Sequence, residues 1–388
     1  MWTYTLKIEK VAKINNKNNM DLTNALDSEN KQRLRIADIA RITGVSAGTV
    51  DRVLHNRGRV SDEKRKKVET VINQMDYRPN VFARSLSIKK EMRFVSLIPN
   101  FEAAGYWEYI RNGINKAQKE ISDHRIIIDH HYFDQYDNRS FVVETERILS
   151  ALPDAVVFSP VFIEESVAFA QQLEQQHIPC VLVDSNVEAI NCLAYYGQHS
   201  LKSGYTAAQL LFTGLPKDST VLLTRSVRPN GIGSNQAILR EKGFMQYVDE
   251  HKLRQSYQIV RVDLYSNDTA KNLRKLRGTA ACSPPITGAV IFSSKVYRLV
   301  DFLAKVNLLG IKIIGYDELP QNIAALKAGY VSYLIAQRPE MQGYLVVKNL
   351  LKHLVYKQQT HRTNYVPVDI LTREIVDEYI QFNQRLNE

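Results

Sequence analysis

Three cysteines in 388 residues, Cys180, Cys192 and Cys282, are too few and too widely spaced for a disulfide framework or a cysteine zinc site. Their odd number suits a reducing compartment. No run of about 18 apolar residues occurs, so no membrane span is expected. The first twenty residues, MWTYTLKIEKVAKINNKNNM, lack the apolar core and small-residue cleavage site of a secretory signal, and the expected location is the cytoplasm. Catalytic signatures are missing as well. Gly231-Ile232-Gly233 has no third glycine and follows a proline-containing loop, which excludes a dinucleotide fingerprint. No phosphate loop, zinc-protease helix or nucleophile elbow is present. Asp129-His130-His131, with Asp134 and Asp137, gathers metal-ligating residue types, but neighbouring histidines on a strand point to opposite faces. No metal, no cofactor and no enzymatic activity are expected.

What is present is an ordinary globular composition, 44% hydrophobic and 24% charged, on a chain long enough for a small headpiece and a large domain that itself divides. The positive charge is unevenly placed. Between Arg33 and Lys90 there are 14 Lys/Arg against 6 Asp/Glu, so this window holds +8 of the total +10. Such concentration is the footprint of a phosphate-binding surface.

The same window has helical periodicity. Ile36, Ile39 and Ala40 share one face, Gly44 breaks the run, and Ser46 can cap a second helix whose Val50, Val53 and Leu54 share another. Two short helices joined by a glycine-containing turn form the helix-turn-helix pattern, which lays its second helix in the major groove. A third helix is predicted from Ser61 as N-cap, with Asp62 and Glu63 at its positive end and Val68, Val71, Ile72 and Met75 facing inward. Gly44-Val45-Ser46 alone leaves open a small helical bundle with no DNA role. The charge decides for a DNA-binding headpiece.

The stretch GVSAGTVDRVLHNRGRVSDEKRKKVETVINQMDYRPNVFARSL, residues 44–86, resembles the headpiece of the lactose-repressor (LacI/GalR) family of bacterial transcription regulators. The shared pattern runs Val-Ser-x-x-Thr-Val-x-Arg-Val-Leu, then Val-Ser, Arg-x-Lys-Val, Tyr-x-Pro-Asn and Ala-x-x-Leu. The later chain matches that family in architecture and in scattered motifs. Four segments follow: a flexible N-terminal extension, 1–32; the helix-turn-helix domain, 33–79; a hinge helix and linker, 80–91; and a ligand-binding body, 92–388.

The predicted recognition helix, Ser46 to about Leu54, turns Ala47, Gly48, Thr49, Asp51 and Arg52 toward the groove floor. Ser46 and Thr49 suit phosphate contacts. Arg52 can fork onto a guanine, worth roughly 1–3 kcal/mol of discrimination, or pair with Asp51 or Asp38 instead. Ala47 and Gly48 allow close approach but offer few hydrogen bonds, and Asp51 near DNA must accept from a cytosine amino group or pair internally. His55, Asn56, Arg57 and Arg59 are expected on the backbone. Pro79 ends the third helix after Tyr77. Asn80 can cap a short segment, Val81 to Ser87, too short to be stable alone. The resemblance implies a hinge helix that orders when two copies meet over DNA and inserts Leu86 into the minor groove, with Ala83 and Arg84 on the same face. A linker leucine packed on the body is the plainer alternative.

From Arg93 onward, apolar runs alternate with amphipathic helical stretches, which predicts doubly wound parallel sheets. The expected strands are Phe94–Pro99, Ile126–Phe133, Ala155–Ser159, Cys180–Asp184, Val221–Thr224, Ile259–Leu264, Ala289–Phe292 and Ile311–Tyr316. The fold class is therefore an all-α headpiece plus an α/β two-lobe body, which the resemblance makes periplasmic-binding-protein-like. Lobe 1 is expected at about 92–196 and 330–360, lobe 2 at about 197–329 and 361–388, joined by three crossings.

Ligands in open α/β sheets sit beyond the carboxyl ends of strands, here between the lobes. Candidates at those ends are Asn100, Phe101, Tyr106, Trp107, Ser159, Asp184, Asn186, Gln198, His199, Arg225 and Asp317. Arg240 stands three residues before Gly243-Phe244, and the resemblance makes it the residue that grips the ligand. Its alternative is a helix-surface arginine. Ser294 and His199 occupy places where relatives often carry an acid, and Gln337 and Arg338 in AQRPE complete the set. The expected protein is a cytoplasmic homodimeric regulator whose partners are double-stranded operator DNA and a small-molecule effector, a carbohydrate. Two alternatives stand beside it: an α/β enzyme on sugars or nucleosides with a DNA-binding module, using Asp184 and Asp317 as acid and base, and a purine-sensing regulator.

Overall fold

A computed structural model of the chain describes residues 36–54, 58–75, 91–122, 125–228 and 231–385. These fall into two compact units, 36–75 and 91–385. The expected extension 1–32 and hinge helix Val81–Ser87, with Tyr77, Asn80, Ala83, Arg84 and Leu86, lie outside the described residues, as do His55 and Asn56.

The first unit is a three-helix headpiece: α1 (Ile36–Thr43), α2 (Ala47–Leu54) and α3 (Asp62–Gln74). Gly44 ends α1 in left-handed geometry, φ +67°, and the next amide, Val45, donates back to the Ala40 carbonyl at 3.2 Å. This closure needs a residue that tolerates positive φ, and it fixes the turn between α1 and α2. Ser46 then caps α2, its Oγ accepting from the Thr49 amide at 3.2 Å. Ile39, Ala40, Val50, Val53 and Val68 are buried together, with Ile36, Leu54, Val71 and Ile72 packed around them. Two details differ from expectation. Met75 is 46% exposed, because α3 stops at Gln74 and Met75 only closes its end, its backbone N–H donating a hydrogen bond to the Val71 carbonyl. Ser61 occupies the N-cap of α3 in extended geometry, but its side chain makes no capping bond.

In the second unit, strands buried on both faces alternate with helices. The first sheet has the order β11-β5-β4-β3-β1-β2 among the described residues, all neighbours parallel. Its strands are β1 (Met92–Pro99), β2 (Ile126–Phe133), β3 (Ala155–Phe158), β4 (Cys180–Val183), β5 (Ala194–Gly197) and β11 (Thr363–Tyr365). Helices α4 (Tyr106–Glu120), α5 (Asn138–Ala151), α6 (Ile163–Gln175) and α12 (Pro339–Leu354) cover it. Along β1, Phe94 and Ile98 face one core and Val95 and Leu97 the other, which is why the strand reads as an unbroken apolar run.

The second sheet repeats this order, β12-β10-β9-β8-β6-β7. It comprises β6 (Ser219–Val227), β7 (Tyr257–Tyr265), β8 (Ile286–Ile291), β9 (Lys312–Tyr316), β10 (Tyr333–Ala336) and β12 (Asp369–Leu371), the last antiparallel to β10. Helices α7 (Ser200–Phe212), α8 (Asn235–Glu250), α9 (Thr269–Ala280), α10 (Val296–Ala304), α11 (Pro320–Lys327) and α13 (Val376–Arg385) complete the lobe. The chain passes between lobes after Gly197, after Ala336 and between Tyr365 and Asp369. The second boundary corrects the expected return near residue 330, and the third the expected one near 361. β10 pairs with β9 in the second sheet and β11 with β5 in the first, and runs of three or four residues give too little periodicity to assign a lobe.

Each lobe is drawn tight by a pair of helical glycines. A Cβ on Gly113 of α4 would fall 1.9 Å from the Glu340 carbonyl, and one on Gly343 of α12 2.0 Å from that of Ile110. In lobe 2, Gly204 of α7 and Gly243 of α8 would each place a Cβ 1.8 Å from a carbonyl of the facing helix, those of Arg240 and Leu201. Only glycine lets these backbones touch.

Candidate DNA-binding surface and interlobe site

On α2 the burial follows the helix period. Val50 and Val53 are buried, while Ser46, Ala47, Gly48 and Arg52 are exposed and Thr49 and Asp51 half-buried. The predicted reading residues therefore sit on the outward side of a helix held by its inward side. Ser46 Oγ also lies 3.0 Å from Thr49 Oγ1, so the two hydroxyls stand together at the positive end of α2. Asp38 pairs with Arg41 at 3.4 Å. Arg59 is exposed as well.

In the second unit the lobes touch where the ligand site is expected, through bonds such as that from Gln236 to the Asp184 carbonyl. The meeting point is built from strand ends. Asp184 directly follows β4 and Asp317 directly follows β9, each in left-handed geometry, φ +73° and +71°. That backbone is tolerated by Asp better than by most residues and concentrates at functional positions. Both carboxyls are buried. Burial pushes Asp184 up to about 6, against the bond from Tyr106, whose Oη donates to Oδ1 at 2.6 Å. Burial likewise raises Asp317, with Arg240 and the Ser294 hydroxyl opposing. Gln337 Nε2 donates to Asp317 Oδ1 at 2.6 Å, whereas Oδ2 has no partner of good geometry.

Arg240 lies between these carboxyls and is 2% exposed, which excludes the alternative of a helix-surface arginine. Its guanidinium stacks on Tyr316 at 4.0 Å, donates through Nη1 to the Phe292 carbonyl at 2.9 Å and through Nη2 to Gln236 Oε1 at 2.9 Å. With its amide assigned so that the oxygen faces the guanidinium, Gln198 accepts from Nε at 2.8 Å and donates to Ser203 Oγ at 3.0 Å. Gln236 in turn donates across the junction to the Asp184 carbonyl at 2.6 Å, and Asn235 to that of Asn186 at 3.0 Å. Gln198 and Gln337 lie on the first and second crossings themselves, so any change in lobe angle moves them.

The structure thus brings Tyr106, Asp184, Gln198, Arg240, Ser294, Asp317 and Gln337 together, with Asn186 at the edge. The other candidates have different surroundings. Ser159 is fully buried at the end of β3 with an unpartnered Oγ. Trp107 packs edge-on to Tyr106 against the lobe 1 core. Asn100 is exposed beyond β1, and Phe101 carries Arg111 over its ring at 5.0 Å. His199 caps α7 and stacks on Tyr365 at 4.6 Å. Arg225 pairs with Asp263 at 2.8 Å and with Glu241 at 3.4 Å. Arg338 forks onto Asp369 at 2.6 and 2.9 Å, tying the second crossing to the third. Sequence reasoning missed Gln236, Ser203 and Tyr316. Gln236 had a signal, one helical turn before Arg240 on the same face.

A helix-turn-helix headpiece followed by two similar parallel-sheet lobes, with a polar junction at their strand ends, defines a DNA-binding protein with a two-lobe α/β body. The periplasmic binding protein domain family matches residues 94–358, and the bacterial regulatory proteins of the lacI family match residues 35–80. A solved structure of a putative LacI transcriptional regulator from Bacteroides fragilis is 34% identical, covering 75% of this chain and all of that one, with a TM-score of 0.70. The HTH-type transcriptional regulator RegA of Clostridium saccharobutylicum is 24% identical over 85% of this chain and 95% of its own. The ribose operon repressor of Lactococcus lactis is 25% identical over 73% of this chain and 81% of its own. The chain belongs to the LacI family, and it is a DNA-binding transcriptional regulator with a periplasmic-binding-protein-like domain. These relatives are regulators, which sets aside the enzyme alternative. Among the described residues no helix is long and apolar enough to cross a membrane.

Proposed function

We propose that the protein is a cytoplasmic, homodimeric regulator whose operator affinity is set by a sugar bound between the lobes. One observation carries the ligand reading: two buried strand-end carboxyls, Asp184 and Asp317, flank a buried arginine where the lobes meet. Carboxylate and guanidinium planes fork onto pairs of hydroxyls, and Asp317 Oδ2 is an acceptor still to be satisfied. Tyr106 supplies aromatic surface beside Asp184. The relative named as a ribose operon repressor supports the same ligand class.

On the DNA side, Ser46 and Thr49 take phosphates, Ala47 and Gly48 let α2 approach the bases, and Arg52 reads a guanine. Two copies occupy the halves of a pseudo-palindrome. The sugar must favour one lobe arrangement, since only differential affinity moves the equilibrium. The test is in two arms. Operators selected from random DNA by the full chain should share an inverted repeat. A panel of free pentoses and hexoses, screened by thermal shift, should then include one that raises the unfolding midpoint and changes operator affinity. Selection of unrelated DNA sinks the first arm, and a panel without effect sinks the second.

A further inference from the structure

Arg228 belongs to lobe 2 but spends its side chain on lobe 1. Its backbone is anchored just past β6: its amide donates to the Ile232 carbonyl at 3.0 Å, and its carbonyl accepts from Gly231 at 2.9 Å. Its guanidinium reaches across the junction. Nε donates to the Gln135 carbonyl at 3.0 Å, Nη2 donates to the Val161 carbonyl at 2.9 Å, and the plane covers the Phe162 ring at 4.5 Å. Gln135 follows β2, and Val161-Phe162 follow β3. Phe162 is held in turn by Phe133 and Phe141 in the lobe 1 core. Both ends of the bridge are therefore rigidly mounted, one on each lobe.

The sheet order gives this bridge leverage. The three crossings lie together: the Val366 amide of the third donates to the Gly197 carbonyl of the first at 2.9 Å, Arg338 of the second forks onto Asp369, and the third joins β11 to β12, an edge strand of each sheet. β2 is the opposite edge of the first sheet, and β6 lies next to the opposite edge of the second. Rotation about the crossings opens the lobes farthest at the end where Arg228 sits. We propose that Arg228 is the closure latch of this regulator, a positioning residue that fastens the two lobes at the side away from the crossings. Its three contacts break together on opening. The bonds go to backbone carbonyls, which pair with water once the lobes part, and burial holds the guanidinium below its ordinary pKa, with Glu165 opposing. Cost and gain are thus both present in the closed state, which leaves the balance open to a ligand. Val161 lies two residues past Ser159, so the latch also pins the turn that carries that buried, unpartnered hydroxyl.

The guanidinium geometry sets the test. Lysine keeps the charge but cannot fork onto two carbonyls and a ring at once. In the full chain without added sugar or DNA, Arg228→Ala and Arg228→Lys should both enlarge the radius of gyration in X-ray scattering. Both should also speed hydrogen exchange in the peptides spanning 135–136 and 161–162, with the thermal midpoint unchanged. Phe162→Leu, which keeps the apolar packing and removes the ring, should give a smaller change in the same direction and serves if the arginine variants do not fold. Parental compactness in Arg228→Ala, or in Phe162→Leu where only that variant folds, overturns the proposal. So does parental behaviour of Arg228→Lys, which would reduce the contact to charge alone. The proposal rests on the regulator reading only for its consequence at the operator. A failed latch leaves operator selection and sugar screening untouched, and their failure leaves the scattering result standing.

Discussion

Asp184 turns the interlobe junction into a pH-dependent element. Its folded carboxyl is raised from an ordinary value near 3.8 to about 6 by burial. Below about pH 3 both folded and unfolded chains carry the proton, and the stabilisation is fully present. As the pH rises the unfolded chain ionises first, so that stability is lost progressively until the folded carboxyl has also titrated. The shift corresponds to about 3 kcal/mol. Asp184→Asn removes the titration, so it should gain about 3 kcal/mol relative to the parent between pH 3 and pH 7.5 in urea unfolding. A parent–variant difference independent of pH refutes the assignment. The strand-end position of this residue made it legible in the sequence, as it did for Asp317, and a motif did the same for Arg240. Arg228 was not legible: nothing local distinguishes a loop arginine whose partners are carbonyls 67 and 93 residues away. Position at a strand end also proved an incomplete guide, for His199 caps a helix and Arg225 is neutralised by two carboxylates.

At the scale of elements, periodicity revealed helices and strands but not how closely they pack. The Arg-x-x-Gly-aromatic motif was read for its arginine, yet its glycine has an equally definite task. Gly243 and Gly204 bring α7 and α8 into backbone contact, and that contact sets the depth at which Arg240 enters the junction. Gly204→Ala should separate the helices and destabilise the body by about 3 kcal/mol or more, since an overpacked backbone contact has no flexible atom to yield. Equal stability in thermal unfolding contradicts this. In the headpiece, Ser46→Ala removes the cap on α2 and should cost about 1 kcal/mol of headpiece stability, followed by the loss of helical circular dichroism. Operator affinity should fall further, since the proposal gives the same hydroxyl a phosphate contact. The strands least legible beforehand, β11 and β12, are three residues each, and their sheets become apparent only through long-range pairing.

For the whole molecule, the division of charge separates reading from responding. The window from Arg33 to Lys90 carries +8, which leaves +2 for every other residue together. Salt dependence of operator binding should therefore reside almost wholly in the headpiece, each neutralised phosphate adding about 0.9 to the slope of log affinity against log salt. Arg52 distinguishes the two kinds of contact within that total. If it reads a guanine, Arg52→Ala costs roughly 1–3 kcal/mol per half-site and relaxes preference at one base pair, with the salt slope unchanged. If it holds a phosphate, the two copies together lower the slope by about 2 and weaken all sequences alike. Binding of the variant to every single-base operator change, titrated by fluorescence anisotropy at several salt concentrations, decides between them. A uniform loss with a shallower slope would move Arg52 to the backbone and leave base reading to the smaller residues beside it.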